Sequence, residues 1–449
     1  MCPVVLLTLI LSFLLLLLEM TAAITVSFSP KRIDSLKEDD VYLVNYSVDV
    51  NSSGQEQLQF VSEKPSVANV EKNATVDFKS DISIINGTFL VKGKFLGYTK
   101  IRLKTEEGTS SQSLPVVVVR KKSALSIAFT ASVAILVSLN YINMGCALDL
   151  KIVRQVLAKP VAPAVGFFSQ FLTMPLLAFG LAKLLFDEPF MMLGLFTFGC
   201  SPGGGASNMW TVILKGNLNL SLTMTFISTV AALGMIPLWL FTLGTLLFKD
   251  TKTVVPYSSI LTTLVSMLIP LGVGLLFQRF LPRVAKFCRK ILALVSILMI
   301  LFIIIFGTYA NFYMFKLFTW QIVVASMVNV WTGFLFGAII SKICGLATED
   351  IIAVAIETGV QNTGIAIILL GFSLKQPDSD LASVVPVAGS IMTPFPLLIA
   401  YAIQKFWNWK KSSKEKHREI IFDDLQESML KSPNSSTGGD LKQISNGRN

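Results

Sequence analysis

The spacing of apolar residues changes three times along the chain. Residues 1–23, MCPVVLLTLILSFLLLLLEMTAA, form one apolar run that closes on small side chains. That is the pattern of a secretory signal peptide cut near Ala22 and Ala23, or of an uncleaved anchor, since a basic start is missing. Between 24 and 120, apolar and polar residues alternate in short runs such as ITVSF, VYLVNYSVDV, TVDF, TFLVKGKFLGYTKIRL and LPVVVVR, split by Gly, Pro, Ser and Asn clusters. Period-two alternation turns one face of each run inward, so this segment predicts a small β-sandwich of immunoglobulin-like kind. From 123 to 406 the polar positions thin out, and apolar stretches reach the ~20 residues that a ~30 Å hydrocarbon layer demands. They predict about nine transmembrane helices, at 124–148, 161–186, 189–214, 219–247, 256–279, 288–310, 319–342, 349–373 and 383–405. Residues 407–449 turn polar and charged again and predict a disordered tail.

Composition agrees with an integral membrane protein, because 53% of residues are hydrophobic and only 15% charged. The net charge of +10 gains meaning from its distribution. With the N-terminal domain outside, the inner loops hold Lys151, Arg154, Lys159, Lys215, Arg279, Arg283, Lys286, Arg289, Lys290 and Lys342, and the tail adds six more cations between Lys405 and Arg418. The outer loops hold Asp187, Glu188, Asp250, Asp378 and Asp380, with few cations. That is a positive-inside bias, against which only Arg120, Lys121 and Lys122 stand. It predicts a multi-pass plasma-membrane protein with an extracellular N-terminus and a cytoplasmic C-terminus. Nucleic acid is not an expected partner, for no basic motif is interleaved with aromatics. Glycosylation sequons at Asn45, Asn51, Asn73 and Asn86 fit an ectodomain, while those at Asn219 and Asn434 read as accidental. Cys2, Cys146, Cys200, Cys288 and Cys344 all fall outside 24–120, so the ectodomain has no disulfide framework and must fold on apolar packing.

Polar groups enter the predicted spans at two places. In AIETGVQNTGIA, residues 355–366, Glu357 is the one carboxylate inside a span, and no Lys, Arg or His is predicted deep enough to pair with it. An unpaired charge there costs roughly 2.5–3.5 kcal/mol or more. A cation from outside the chain would remove that cost, and Gln361, Asn362 and carbonyls freed at Gly359 and Gly364 supply the hard oxygens that alkali cations prefer. In CSPGGGASNMWT, residues 200–211, Pro202 and Gly203 to Gly205 interrupt a helix just before Ser207 and Asn208. Taken singly, a glycine run reads equally well as a packing device, and a buried Asn as interhelical glue. Two such breaks, in the third and eighth spans, point instead to a midplane site in an inverted-repeat secondary transporter whose first half lacks one helix. Paired aspartates or histidine metal ligands are absent from the spans, which argues against an enzyme.

CSPGGGASNMWTVILKGNLNLSLTMT, ETGVQNTGIA and SQFLTMPLLAFGLAKLL resemble the signature segments of the sodium/bile acid cotransporter family, and the resemblance covers about 123–406. The long N-terminal domain is similar to the orphan branches of that family. The resemblance implies two co-transported sodium ions. One site would use Ser207, Asn208, Ser221, Thr225 and Glu357, and the other Gln170, Glu357, Gln361 and carbonyls near Thr358 and Val360. Helix geometry agrees in one detail, since Ser221 and Thr225, four residues apart, share a face. The function implied is sodium-coupled symport of an amphipathic organic anion, a bile acid or sulfated steroid, by alternating access within the lipid bilayer. Spans 2, 3, 4, 8 and 9 would rock against spans 1, 5 and 6. The alternative is an orphan, non-transporting receptor-like or accessory protein acting through its ectodomain. A homo-oligomer and an extracellular partner of the ectodomain stay open.

Overall fold

The computed structural model describes residues 25–49, 59–71, 84–105, 108–121, 124–148, 150–248, 257–302, 305–306, 308–310 and 312–430. The expected signal segment and the sequons at Asn51, Asn73 and Asn434 lie outside them.

The alternating N-terminal runs become eight strands: β1 Thr25–Ser29, β2 Ile33–Lys37, β3 Val41–Asp49, β4 Gln59–Ser62, β5 Ala68–Val70, β6 Ile84–Gly93, β7 Gly97–Thr105 and β8 Gly108–Val119. They form two four-stranded sheets, ordered β1-β3-β6-β5 and β2-β8-β7-β4. Inward residues of both sheets share one core, which includes Val26, Val44, Phe60, Phe89, Ile101, Leu114 and Val118. At its centre Phe60 of one sheet stacks on Phe89 of the other, ring centroids 4.4 Å apart, with Tyr46 at 4.7 Å from Phe60. This contact does what a cross-sheet disulfide does elsewhere. Phe89→Ala is therefore expected to cost the secreted 24–121 fragment about 3–5 kcal/mol, a fall of roughly 15 °C or more in its unfolding midpoint. Calorimetry of the fragment checks this, and the fragment is a fair object because every member of the core lies within it.

Thirteen helices matter for the rest of the chain. They are α1 Ala124–Ala147, α2 Leu150–Leu157, α3 Val161–Leu185, α4 Pro189–Cys200, α5 Ala206–Ile213, α6 Leu218–Leu247, α7 Tyr257–Phe280, α8 Pro282–Phe302, α9 Trp320–Ile343, α10 Thr348–Gly359, α11 Thr363–Ser373, α12 Asp378–Met392 and α13 Pro394–Leu430. Among the described residues, five continuous helical stretches are long and apolar enough to cross a membrane: α3, α6, Leu261–Phe280 within α7, α9, and Asp378–Lys410 across α12 and α13. A sixth appears if Ala131–Cys146 and Lys151–Leu157, bent by 79°, count as one. The third and eighth expected spans are each split into two short helices, α4 with α5 and α10 with α11.

Two expectations are corrected. The helix placed at 288–310 begins earlier, at Pro282, and its described part runs through Phe302. Proline suits the first helical position, where its missing N–H costs nothing, so the basic segment after it winds into the helix. The tail expected to be disordered from 407 is helical through Leu430, within a helix of 37 residues. No glycine or proline interrupts the sequence between Pro396 and Pro433, and Lys, Glu and Leu carry little helical penalty.

Glycines set the closest helix contacts. Gly145 of α1 and Gly274 of α7 face each other so closely that a Cβ on Gly145 would lie 2.5 Å from the Leu271 carbonyl. With α8, these two helices form one group. A second group joins α4 to α12, where Phe198 packs over Gly389, and α9 to α10, where Gly333 lies against Gly359. Polar contacts mark the two ends of the bundle. At one end Asn217 donates to Asp350 at 2.8 Å and Gln404 to the Leu214 carbonyl at 3.0 Å. At the other, the ectodomain meets Glu188, Phe190, Asp378 and Asp380.

Candidate functional site

Breaking a helix inside a bilayer frees N–H and C=O groups that no water can satisfy. Here the two breaks satisfy each other. Gly204 N–H donates to the Val360 carbonyl at 2.7 Å, Asn362 N–H donates to the Pro202 carbonyl at 2.8 Å, and Gly203 bridges Gln361 in antiparallel fashion. None of the three glycines has a positive φ; among the described glycines only Gly97 and Gly345 do. Their use is close approach. A Cβ on Gly203 would overlap the Glu357 carboxylate, and one on Gly204 would lie 2.7 Å from the Gln361 carbonyl.

Glu357 lies in the last turn of α10 at this crossing and is 1% exposed. Its Oε2 accepts hydrogen bonds from Ser207 Oγ at 2.7 Å and Thr225 Oγ1 at 3.0 Å, with Ser221 Oγ at 3.5 Å. Asn208 Oδ1 accepts from Ser221 Oγ at 2.9 Å and lies 3.4 Å from Thr225 Oγ1. All five side chains named for the first site thus converge. Hydroxyls rotate at little cost, so the same oxygens can offer lone pairs to a cation in place of protons to the carboxylate. The other carboxylate oxygen, Oε1, is buried with no hydrogen-bond partner. No ion pair joins Glu357 to a described Lys, Arg or His.

The second set meets beside it. Gln170, in the π-helical turn Ser169–Thr173 of α3, donates through Nε2 to Gln361 Oε1 at 2.8 Å and to the Ser201 carbonyl at 2.6 Å. Its own Oε1 is buried and unpartnered. Gln361 Nε2 donates to the Thr358 carbonyl at 2.8 Å. The Thr358 hydroxyl turns away to the Val354 carbonyl at 2.8 Å, so only its backbone faces the site, and the Val360 carbonyl is already engaged by Gly204.

Two details escape a reading of the sequence. Asn362, there counted among the free oxygens, caps α11 by accepting from Ile365 N–H at 3.0 Å and donates to the Tyr141 hydroxyl of α1 at 2.8 Å. Thr211, buried on α5, donates to Ser221 Oγ at 3.2 Å and braces it. Its spacing of four from Ser207 is the signal that could have found it.

A polytopic helical membrane protein with two interrupted helices crossing at a buried, oxygen-lined carboxylate has the architecture of a secondary transporter. Comparison with known proteins narrows the class. The family model described as the Sodium Bile acid symporter family matches residues 134–318. The ileal sodium/bile acid cotransporter of Homo sapiens is 30% identical over 299 residues, covering 66% of this chain and 84% of that protein. That of Cricetulus griseus is 32% identical over 270 residues, covering 60% and 76%. The P3 protein of Homo sapiens is 32% identical over 251 residues, 56% of this chain, and the match spans about half of that relative, 53%. Among solved structures, S-layer protein SbsC domains 4 and 5 overlap 21% of this chain and 50% of that one, at 18% identity and a TM-score of 0.17, too slight a likeness to define a fold. The chain belongs to the sodium bile acid symporter family, a family of transporters and not of enzymes.

Proposed function

We propose that this protein is a sodium-driven symporter of amphipathic organic anions of bile-acid or sulfated-steroid type, working by alternating access. The observation that carries the reading is Glu357: a fully buried carboxylate with one oxygen held by three hydroxyls and the other unpartnered, at the crossing of two broken helices. Two sodium ions would share it. The first would sit among Ser207, Asn208, Ser221 and Thr225, and the second beside Gln170, Gln361 and the Thr358 carbonyl. Their charge would replace the hydroxyl protons and hold the crossing in one geometry. The α5 N-terminus, opened by the glycines, offers N–H groups and a positive dipole end to the anionic end of the substrate.

Nine spans follow when α4 with α5, α10 with α11, and α12 with α13 each count once, beside α1, α3, α6, α7, α8 and α9. The gathering of Glu188, Asp378 and Asp380 at the ectodomain end supports an extracellular N-terminus. The two-sheet domain fits the immunoglobulin-like kind in its layered core, although its β2–β8 pair is parallel. Asn45 and Asn86 stand exposed on the outer face of the β1-β3-β6-β5 sheet, with Asn45 opposite Thr88 and Ser47 opposite Asn86. Asn45→Gln and Asn86→Gln are each expected to remove one glycosidase-sensitive step in gel mobility; no change for either would place that face out of reach of the glycosylation machinery.

The test of function is an uptake screen in cells expressing the chain, with bile acids and sulfated steroids supplied in sodium or choline medium. Sodium-dependent accumulation supports the reading. Surface expression without any such accumulation favours the receptor-like alternative, for which the separately cored ectodomain is the supporting feature.

A further inference from the structure

The ectodomain is fastened to the helical region at named points. The Tyr98 ring of β7 stacks on Phe190, the second residue of α4, with centroids 6.1 Å apart and planes 11° apart. Its hydroxyl donates to Asp378 at the start of α12. Lys64, just past β4, pairs with Glu188 before α4 at 3.2 Å. That pair is more than half exposed and contributes little; the stack and the hydrogen bond to a carboxylate carry more. Every one of these anchors lies at the head of α4 or α12, two helices locked together by the Gly194–Ala382 and Phe198–Gly389 contacts.

A second junction gathers around Asp380. Arg120, between β8 and α1, brings its Nε to 3.8 Å from Asp380 Oδ2 and lays its guanidinium 4.1 Å from the centre of the Tyr313 ring. The Tyr313 hydroxyl donates to Asp380 Oδ1 at 3.0 Å, and Gln376 donates to Oδ2 at 2.7 Å. Arg120 and Asp380 are only 12% and 13% exposed, so their charges are poorly screened. Arg120 directly follows Val119, the last residue of β8. Tyr313, in the short turn Phe312–Phe315, lies on the strand that leads from α8 to α9. The ectodomain's end at Arg120 and the connection out of α8 at Tyr313 therefore meet on one carboxylate of α12.

We propose that the ectodomain is the extracellular partner surface of the ion-holding bundle, riding with α4 and α12 as one body that includes Arg120 and Asp380, and that Tyr313, held by these two side chains, latches the connection out of α8 against that bundle. The inference rests on the alternating-access reading. Motion between the two groups leaves the Tyr98 contacts intact and breaks those of Tyr313 with Asp380 and Arg120.

Two cysteine pairs in the full-length chain test it: Tyr98→Cys with Phe190→Cys, and Tyr313→Cys with Asp380→Cys. Each is bridged at the cell surface by an impermeant, cleavable bifunctional thiol reagent, with the treated parent chain as control for Cys146, Cys200, Cys288 and Cys344. Bridging the first pair leaves sodium-dependent uptake within about twofold, and bridging the second lowers it about tenfold or more until the reagent is cleaved. The first pair bridges at one rate in sodium and choline; the second does not. A harmless second bridge, an inhibitory first bridge, or equal sodium sensitivity of both rates overturns the proposal. If the parent chain shows no sodium-dependent uptake, the symport reading fails, and the two bridging rates alone decide the latch.

Discussion

Glu357→Gln should abolish sodium-driven uptake, not merely weaken it. The carboxylate is the one charge available to both candidate ion positions, and its neighbours at the crossing, Ser207, Asn208, Ser221, Thr225, Gln170 and Gln361, are neutral. Removing one partner of a buried charge pair costs about 3–5 kcal/mol, which is roughly 10²- to 10⁴-fold in sodium affinity. Shape is preserved, since glutamine is nearly isosteric and can donate to the same hydroxyl oxygens. Surface expression should therefore stay close to that of the parent while uptake in sodium falls to the level seen in choline. Thr211→Val, by comparison, loosens only the brace on Ser221 and should raise the sodium requirement without abolishing uptake. Equal accumulation by the parent and Glu357→Gln at matched surface expression would remove the sodium role of this carboxylate.

The second large effect concerns the glycine run, whose three members are not equivalent. An alanine at Gly203 meets the Glu357 carboxylate, with Cδ 2.7 Å away, and one at Gly204 meets the Gln361 carbonyl at 2.7 Å. The carboxylate can yield only by leaving the Ser207 and Thr225 hydroxyls, and the Gln361 carbonyl only by opening the backbone bridge between the two breaks. At Gly205 the nearest atom is the Asn140 amide nitrogen at 3.3 Å, the free end of a side chain that can turn. Overpacking of this kind costs about 1–3 kcal/mol, or roughly five- to 150-fold in an equilibrium. Gly203→Ala and Gly204→Ala are expected to lose uptake by about tenfold or more, and Gly205→Ala to stay within about twofold. A run that served only to interrupt a helix would respond alike at all three positions, because alanine favours helix at each. Uptake normalised to surface protein separates the two outcomes.

The sequence reading reached furthest where local chemistry decides structure. Alternation in TFLVKGKFLGYTKIRL and length in WQIVVASMVNVWTGFLFGAIISKI are written in consecutive residues, and β6, β7 and α9 follow them closely. Pro202 and the glycines announced a break, and Glu357 announced a cost in need of a partner. What remained hidden depends on residues far apart in the chain. The backbone bonds from Gly204 to Val360 and from Asn362 to Pro202 join segments about 160 residues apart, and no local pattern encodes them. Asn362 looked like a spare oxygen because its duties, a cap on α11 and a link to Tyr141, are tertiary. Charge alone made the tail look disordered, although helix propensity through Leu430 opposes that reading. The Arg120, Lys121 and Lys122 cluster, at odds with the positive-inside pattern, makes sense at Arg120, whose charge is matched by Asp380 and the Tyr313 ring.

Ion binding at Glu357 can be measured without knowing the organic substrate. A ligand that binds only the folded state raises its stability by RT ln(1 + [L]/Kd), about 2.7 kcal/mol at a hundredfold excess over Kd. The most direct measurement is thermal unfolding of the purified full-length protein in sodium against choline at equal ionic strength, for the parent and for Glu357→Gln. A sodium-specific rise in the parent midpoint that vanishes in Glu357→Gln is the predicted result. An equal rise in both proteins, or none in the parent, contradicts a sodium-binding carboxylate at the crossing.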